Sequence, residues 1–289
     1  MNRSRIAFLA VPAVVAMLAG GCKDPAAKPA RPLTVHVGGT MKPVMDKLGE
    51  LYLARTGQAI EINSAGSGEL LAHIDFAKEG DLYVCHDPFM DELMRKHKMG
   101  VDGWTIAELT PVIVVQKGNP KNIKGLNDLL RDGLTVWFTD YEKSTLGWML
   151  PTMFSKINVD LMEIDKTRKF PTDRSGGKLA TFVKMKTADA AMCWRAVAAL
   201  RADGVDIIEL PPEQLPTPGV DTVTTATGKQ YTLMPVRVTV STLRCSDQPA
   251  EAKAFAEFTA SKEAADTLKE FGFTLCQPRR NYADGEELK

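Results

Sequence analysis

The sequence has little of what marks the commonest functional sites. Its 289 residues hold five cysteines and four histidines, with no CxxC, HxxxH or HExxH spacing. Zinc-finger, zincin and thioredoxin-type redox chemistry therefore have no ligand set here. No charge is in excess, since 36 basic residues face 36 acidic ones, and a nucleic-acid partner is not expected. No apolar run reaches the roughly 20 residues that cross a bilayer. No internal repeat aligns. Cys85-His86-Asp87 contains the residue types of a nucleophile, a base and an orienter. Successive strand residues point to opposite faces, however, so Cys85 and His86 cannot form a hydrogen-bonded dyad within one strand. The chain is read as a non-enzyme with no catalytic residues, no metal and no cofactor.

What is present begins with a leader. Met1-Asn2-Arg3-Ser4-Arg5 is a basic segment and Ile6 to Leu18 an apolar one, the pattern of an export signal. Leu18-Ala19-Gly20-Gly21-Cys22 resembles a bacterial lipoprotein signal, with Ala19 where such signals usually carry leucine. The resemblance implies that Cys22 is lipidated and that residues 1–22 are signal peptide plus lipidation cysteine. Residues 23–32, rich in Pro and Ala, then read as a flexible tether. The location expected is extracytoplasmic, lipid-anchored to the membrane. Loss of Arg3 and Arg5 with the signal leaves a mature chain of about −2, too little for long-range steering.

Beyond residue 32 the chain alternates strand and helix patterns, which implies α/β architecture with a mainly parallel sheet flanked by helices. Strands are expected at 33–37, 59–63, 81–85, 109–115, 134–138, 190–194, 205–210 and 231–240. Helices are expected at 41–56, 68–78, 88–97, 124–131, 145–156, 176–187, 195–203 and, in two pieces, after Asp247 and Ser261. Residues 211–230 read as irregular. Two strand-to-helix turns stand out, Gly38-Gly39-Thr40 and Ala65-Gly66-Ser67-Gly68. First-turn N–H groups lack internal partners and sit at the positive end of the helix dipole, so such turns can hold an anion without Lys or Arg.

The runs Ser64 to Leu71, Gly80 to Asp87, and Ala252 through Phe271-Gly272-Phe273-Thr274 resemble the periplasmic molybdate-binding proteins of ABC importers. The likeness spans about residues 33–277 and is closer in the first lobe. It implies a two-lobed type II periplasmic-binding-protein fold: lobe one 33–112 with 237–277, lobe two 113–236, a polar tail 278–289, and hinges in strands 109–115 and 233–240. It also implies a tetrahedral oxyanion, molybdate or tungstate, held between the lobes by neutral donors and delivered to an ABC permease, with the binding protein a monomer. Matched motif by motif, the donors would be Gly39, Thr40, Ser67 and Gly68 in lobe one. Lobe two would supply Ser144, Thr145, Ser175 and Trp194, the last where the family often has tyrosine. Arg174, Arg195 and Glu69 lie beside these positions, and sulfate, phosphate, a small organic acid or a sensor role without transport stay open. Of the four remaining cysteines only a Cys245–Cys276 pair is suggested, among three possible full pairings.

Overall fold

The computed structural model describes residues 31–224 and 230–288, so the export signal and Cys22 lie outside the described residues. Strand β1 (Leu33–Gly38), helix α1 (Lys42–Thr56), β2 (Ile60–Ala65), α2 (Ser67–Ala77) and β3 (Leu82–His86) follow one another as two strand-helix-strand units. Leu33, Val35 and Val37 are fully buried, as befits a strand covered on both faces. Helix α1 starts with proline in its first turn and stops at Gly57, whose φ of 77° lets its N–H reach the Leu53 carbonyl. After α3 (Phe89–Asp91), a π-helical turn and β4 (Gly100–Leu109), the chain leaves this sheet at Thr110 and enters β5 (Pro111–Gln116) of a second one.

The second sheet is completed by β6 (Val136–Thr139), β7 (Thr172–Asp173), β8 (Ala190–Trp194) and β9 (Val205–Glu209) in the order β7-β6-β8-β5-β9. Helices α4 (Thr145–Ser155), α5 (Leu161–Arg168), α6 (Gly176–Lys184) and α7 (Arg195–Ala199) join its strands. A small antiparallel pair, β10 (Thr222–Thr224) with β11 (Gln230–Thr232), precedes the return through residues 233–235 into β12 (Val236–Leu243). Helices α8 (Pro249–Thr259) and α9 (Lys262–Glu270) and the hairpin β13 (Arg279–Ala283) and β14 (Glu286–Glu287) finish the first sheet, in the order β14-β13-β4-β12-β3-β1-β2. No helix among the described residues is long and apolar enough to cross a membrane.

Several elements differ from the sequence reading. The parallel pairing is confined to β2-β1-β3 and to β7-β6-β8, because the crossover strands β4, β5 and β12 run antiparallel to their neighbours. The expected strand 109–115 is two strands broken at Thr110, and the expected strand 231–240 is interrupted at residues 233–235, where Pro235 lacks an N–H for a ladder. Of the polar stretch read at 278–289, the described part to 288 is no loose tail. Tyr282 is buried over Gly103, where an added Cβ would lie 2.9 Å from its ring, and Arg280 pairs with Asp102 at 2.5 Å. The suggested Cys245–Cys276 bond is not formed: Cys85, Cys193, Cys245 and Cys276 are all free thiols. Burial pushes Cys193 up to about 12 and Cys85 well above the usual thiol range, so both are core groups held protonated.

Candidate functional site

Four helices start at one place. The N-terminal turns of α1 and α2 on one side and of α4 and α6 on the other line a single cleft of about 660 Å³. All eight donor residues expected from the sequence lie along it: Gly39, Thr40, Ser67 and Gly68 on the first wall, Ser144, Thr145, Ser175 and Trp194 on the second. Converging helix N-termini sum their positive ends, and a cleft between low-dielectric walls concentrates that field.

The first wall is built tightly. The Tyr83 hydroxyl, fully buried, donates to the Ser67 carbonyl at 2.7 Å and fixes the start of α2. Ser67 is 8 % exposed, and its hydroxyl lies beside the Tyr83 phenol on the cleft wall. Gly38 makes room for it, since a Cβ there would fall 2.5 Å from Ser67 Oγ. Gly39 has a smaller part than the sequence suggested. Its N–H is already given to the Ala65 carbonyl at 3.1 Å, so it closes β1 on β2 and leaves open space before the cleft. Glu69 lines the cleft at its mouth with its carboxyl folded against Gly66.

On the second wall, Ser144 and Ser175 are N-caps whose hydroxyl oxygens accept from Gly147 N at 3.4 Å and Lys178 N at 3.3 Å. Each keeps its own O–H to donate. The Ser175 N–H, by contrast, is spent on Asp173 Oδ1 at 2.8 Å. The Trp194 ring ends β8, is 6 % exposed and stands 6.3 Å from the His86 ring. Of the two flanking arginines, Arg174 lines the cleft and has no partner among the described residues. Arg195 turns away, to Glu209 at 2.7 Å and the Gly272 carbonyl at 3.3 Å. Lys143 and Arg201 also line this wall, and neither pairs with a carboxylate among the described residues.

Sequence reasoning missed Thr139, Lys143 and Arg201 as lining residues, and His86 lines the cleft as well. Cys85, His86 and Asp87 point to three different places: the thiol into the core, the imidazole to the cleft, and the Asp87 carboxylate to Arg237 Nε at 2.8 Å. His86 donates Nδ1–H to the Asp87 carbonyl at 2.8 Å, packs on Phe89 and Trp194, and burial lowers its pKa. Burial also lowers the pKa of His36. Both rings are thus neutral in the fold, whereas the unfolded chain binds protons at an ordinary pKa of about 6.5. The stability they contribute is complete above that value and is lost as pH falls below it toward the lowered folded values. The melting temperature of the ligand-free protein should accordingly be level above about pH 6.5 and decline below it, as a thermal-melt series would show. His86→Gln should shallow the decline.

A profile of the family described as "Bacterial extracellular solute-binding protein" matches residues 33–274. The chain belongs to this family. Among its relatives, the solute-binding chain is 29% identical over 131 residues to the molybdate-binding protein ModA of Mycobacterium bovis, a stretch of 43% of this chain and 50% of that one. Its fold is shared with the periplasmic molybdate-binding protein of Azotobacter vinelandii, at a TM-score of 0.67 and 15% identity, over 85% of this chain and 100% of the other. It is also shared with PEB3 of Campylobacter jejuni bound to L-phospholactate, at a TM-score of 0.62 and 15% identity, over 84% and 100%. Both likenesses confirm the two-lobed type II periplasmic-binding-protein fold of this solute-binding protein.

Proposed function

We propose that this solute-binding protein captures a tetrahedral oxyanion between its two lobes and delivers it to an ABC permease, with molybdate or tungstate as the first candidates. The observation that carries the reading is the convergence of four helix N-termini on one cleft together with the Thr139 and Thr145 hydroxyls, which have no partner among the described residues. Peptide N–H groups, Ser and Thr hydroxyls and an indole N–H donate without titrating near neutrality, which suits an anion already fully deprotonated. The relatives that bind molybdate support the choice of anion. Calorimetry on residues 23–289 should show tight one-to-one binding of molybdate or tungstate and weaker binding of sulfate. Affinity should stay level from about pH 6.5 to pH 9, since His86 is neutral throughout that range. Absence of heat from every oxyanion, with the fold intact by circular dichroism, removes the reading.

One observation favours a second reading. Lys143, Arg174 and Arg201 give the second wall three cations with no carboxylate partner among the described residues, beside the apolar Phe89, Val197 and Leu200. A small organic phosphate would use both kinds of surface, and PEB3, which shares the fold, binds L-phospholactate. L-Phospholactate binding to this protein more tightly than molybdate would select that reading.

The membrane attachment is proposed on the lipoprotein-like sequence before Cys22. In cell fractionation the wild type should sediment with membranes, and Cys22→Ala should either move to the soluble extracytoplasmic fraction or stay as uncleaved precursor. A wild type that is wholly soluble after export overturns it.

A further inference from the structure

We propose that the Thr139 hydroxyl is a ligand donor of the second wall. The proposal rests on the oxyanion reading and adds a residue to it. Thr139 is the last residue of β6, which lies parallel to both of its sheet neighbours, β7 and β8. In open α/β sheets the carboxyl ends of such strands are where ligands sit. The residue is 3 % exposed, lines the cleft, and its Oγ1 has no hydrogen-bond partner among the described residues. Threonine at a strand end is ordinarily a β-former whose hydroxyl finds water or a nearby carbonyl. Here the hydroxyl is withdrawn from solvent and left unmade, a state that costs free energy in the empty protein and that native structures rarely keep without a reason.

The surroundings supply that reason. The first turn of α4 is seated directly on the end of β6, so closely that a Cβ on Gly147 would lie 3.0 Å from the Thr139 carbonyl oxygen and 1.9 Å from that of Asp140. This seating brings the first turn of α4 to the end of β6, and Thr139 and that turn both line the cleft. Thr145, the first residue of α4, also lines the cleft with a buried Oγ1 that has no partner among the described residues. Two unpaired hydroxyls therefore flank the helix start that aims its dipole at the cleft. A hydroxyl offers one proton and two lone pairs, and toward an anion it can act only as donor. Thr139 Oγ1 fills that role in the ligand-bound state, and its missing bond in the empty protein is the counterpart.

The test is calorimetry on residues 23–289 carrying Thr139→Val, Thr139→Ser or Thr139→Ala, titrated with whichever of molybdate, tungstate, sulfate and phosphate binds the wild type most tightly. Valine keeps the shape and removes the hydroxyl. Thr139→Val should weaken binding roughly tenfold to a hundredfold, the effect of losing a hydrogen bond to a charged group, and Thr139→Ser should stay within a few-fold of wild type. The ligand-free melting temperature of Thr139→Val should be unchanged or higher, because an unpaired buried polar atom has been removed. A purely structural hydroxyl would instead lower it. Wild-type affinity in Thr139→Val overturns the proposal while leaving the oxyanion reading standing, and so does a lower melting temperature with affinity unchanged. If Thr139→Val does not fold, Thr139→Ala reads the same loss of affinity, and full affinity there overturns the proposal. A wild type that binds none of the four anions removes the oxyanion reading and this proposal with it.

Discussion

Gly147→Ala should weaken ligand binding about a hundredfold or more and lower the stability of the empty protein, because it displaces the start of α4. The added Cβ would lie 1.9 Å from the Asp140 carbonyl oxygen and 2.5 Å from its carbon, both backbone atoms that no rotamer change can move aside. The start of α4 must then withdraw by roughly an ångström, and overpacking of this kind costs about 1–3 kcal/mol. Misplacement on that scale is enough to cost on the order of a hundredfold where polar groups must meet a reacting or bound atom. Denaturant unfolding and calorimetry on the same preparation measure the two effects. A variant with wild-type affinity would show that the seat of α4 on β6 has no part in recognition.

Ser67→Ala should weaken oxyanion binding roughly tenfold to a hundredfold while leaving the empty fold as stable as before, since a hydrogen bond to a charged group contributes about 1.5–3 kcal/mol. The side chain is buried, and the Tyr83 bond that fixes α2 goes to its backbone carbonyl. Stability and affinity are therefore separable at this position, which they are not at Gly147. Thr40→Ala offers the same comparison on the neighbouring turn. Unchanged affinity in both alanine variants places the ligand elsewhere.

The strand-to-helix turns were legible in the sequence because glycines and hydroxyls between a β-branched run and an amphipathic one have a local physical meaning. What those turns do with their hydrogen bonds was not legible. Gly39 and Ser175 spend their N–H groups on Ala65 and Asp173, partners fixed only by the packing of separate segments. Thr139 escaped notice for a related reason: in sequence it is one more β-former, and only the fold strands its hydroxyl. Arg174 and Arg195 look alike in the chain, yet Glu209 and Gly272 claim the second and leave the first in the cleft. The strand β4 was hidden by Asp102 and Gly103, poor strand formers whose places are explained by Arg280 and Tyr282, nearly 180 residues away. The hairpin that brings those two residues was unreadable for the same reason.

Gly272, at a φ of 81°, is pressed so closely to α7 that a Cβ would fall 2.5 Å from that of Ala199, and its carbonyl accepts from Arg195. A short distance away the Arg195 N–H is bound to the Thr110 carbonyl, and Thr110 meets Thr274 through their side-chain oxygens. The two sheets are thus pinned together at the point where the chain first passes between them. If the lobes turn, they turn like a pair of scissors about a rivet, and every group travels in proportion to its distance from that rivet. Trp194, one residue from Arg195, would travel little beside that rivet.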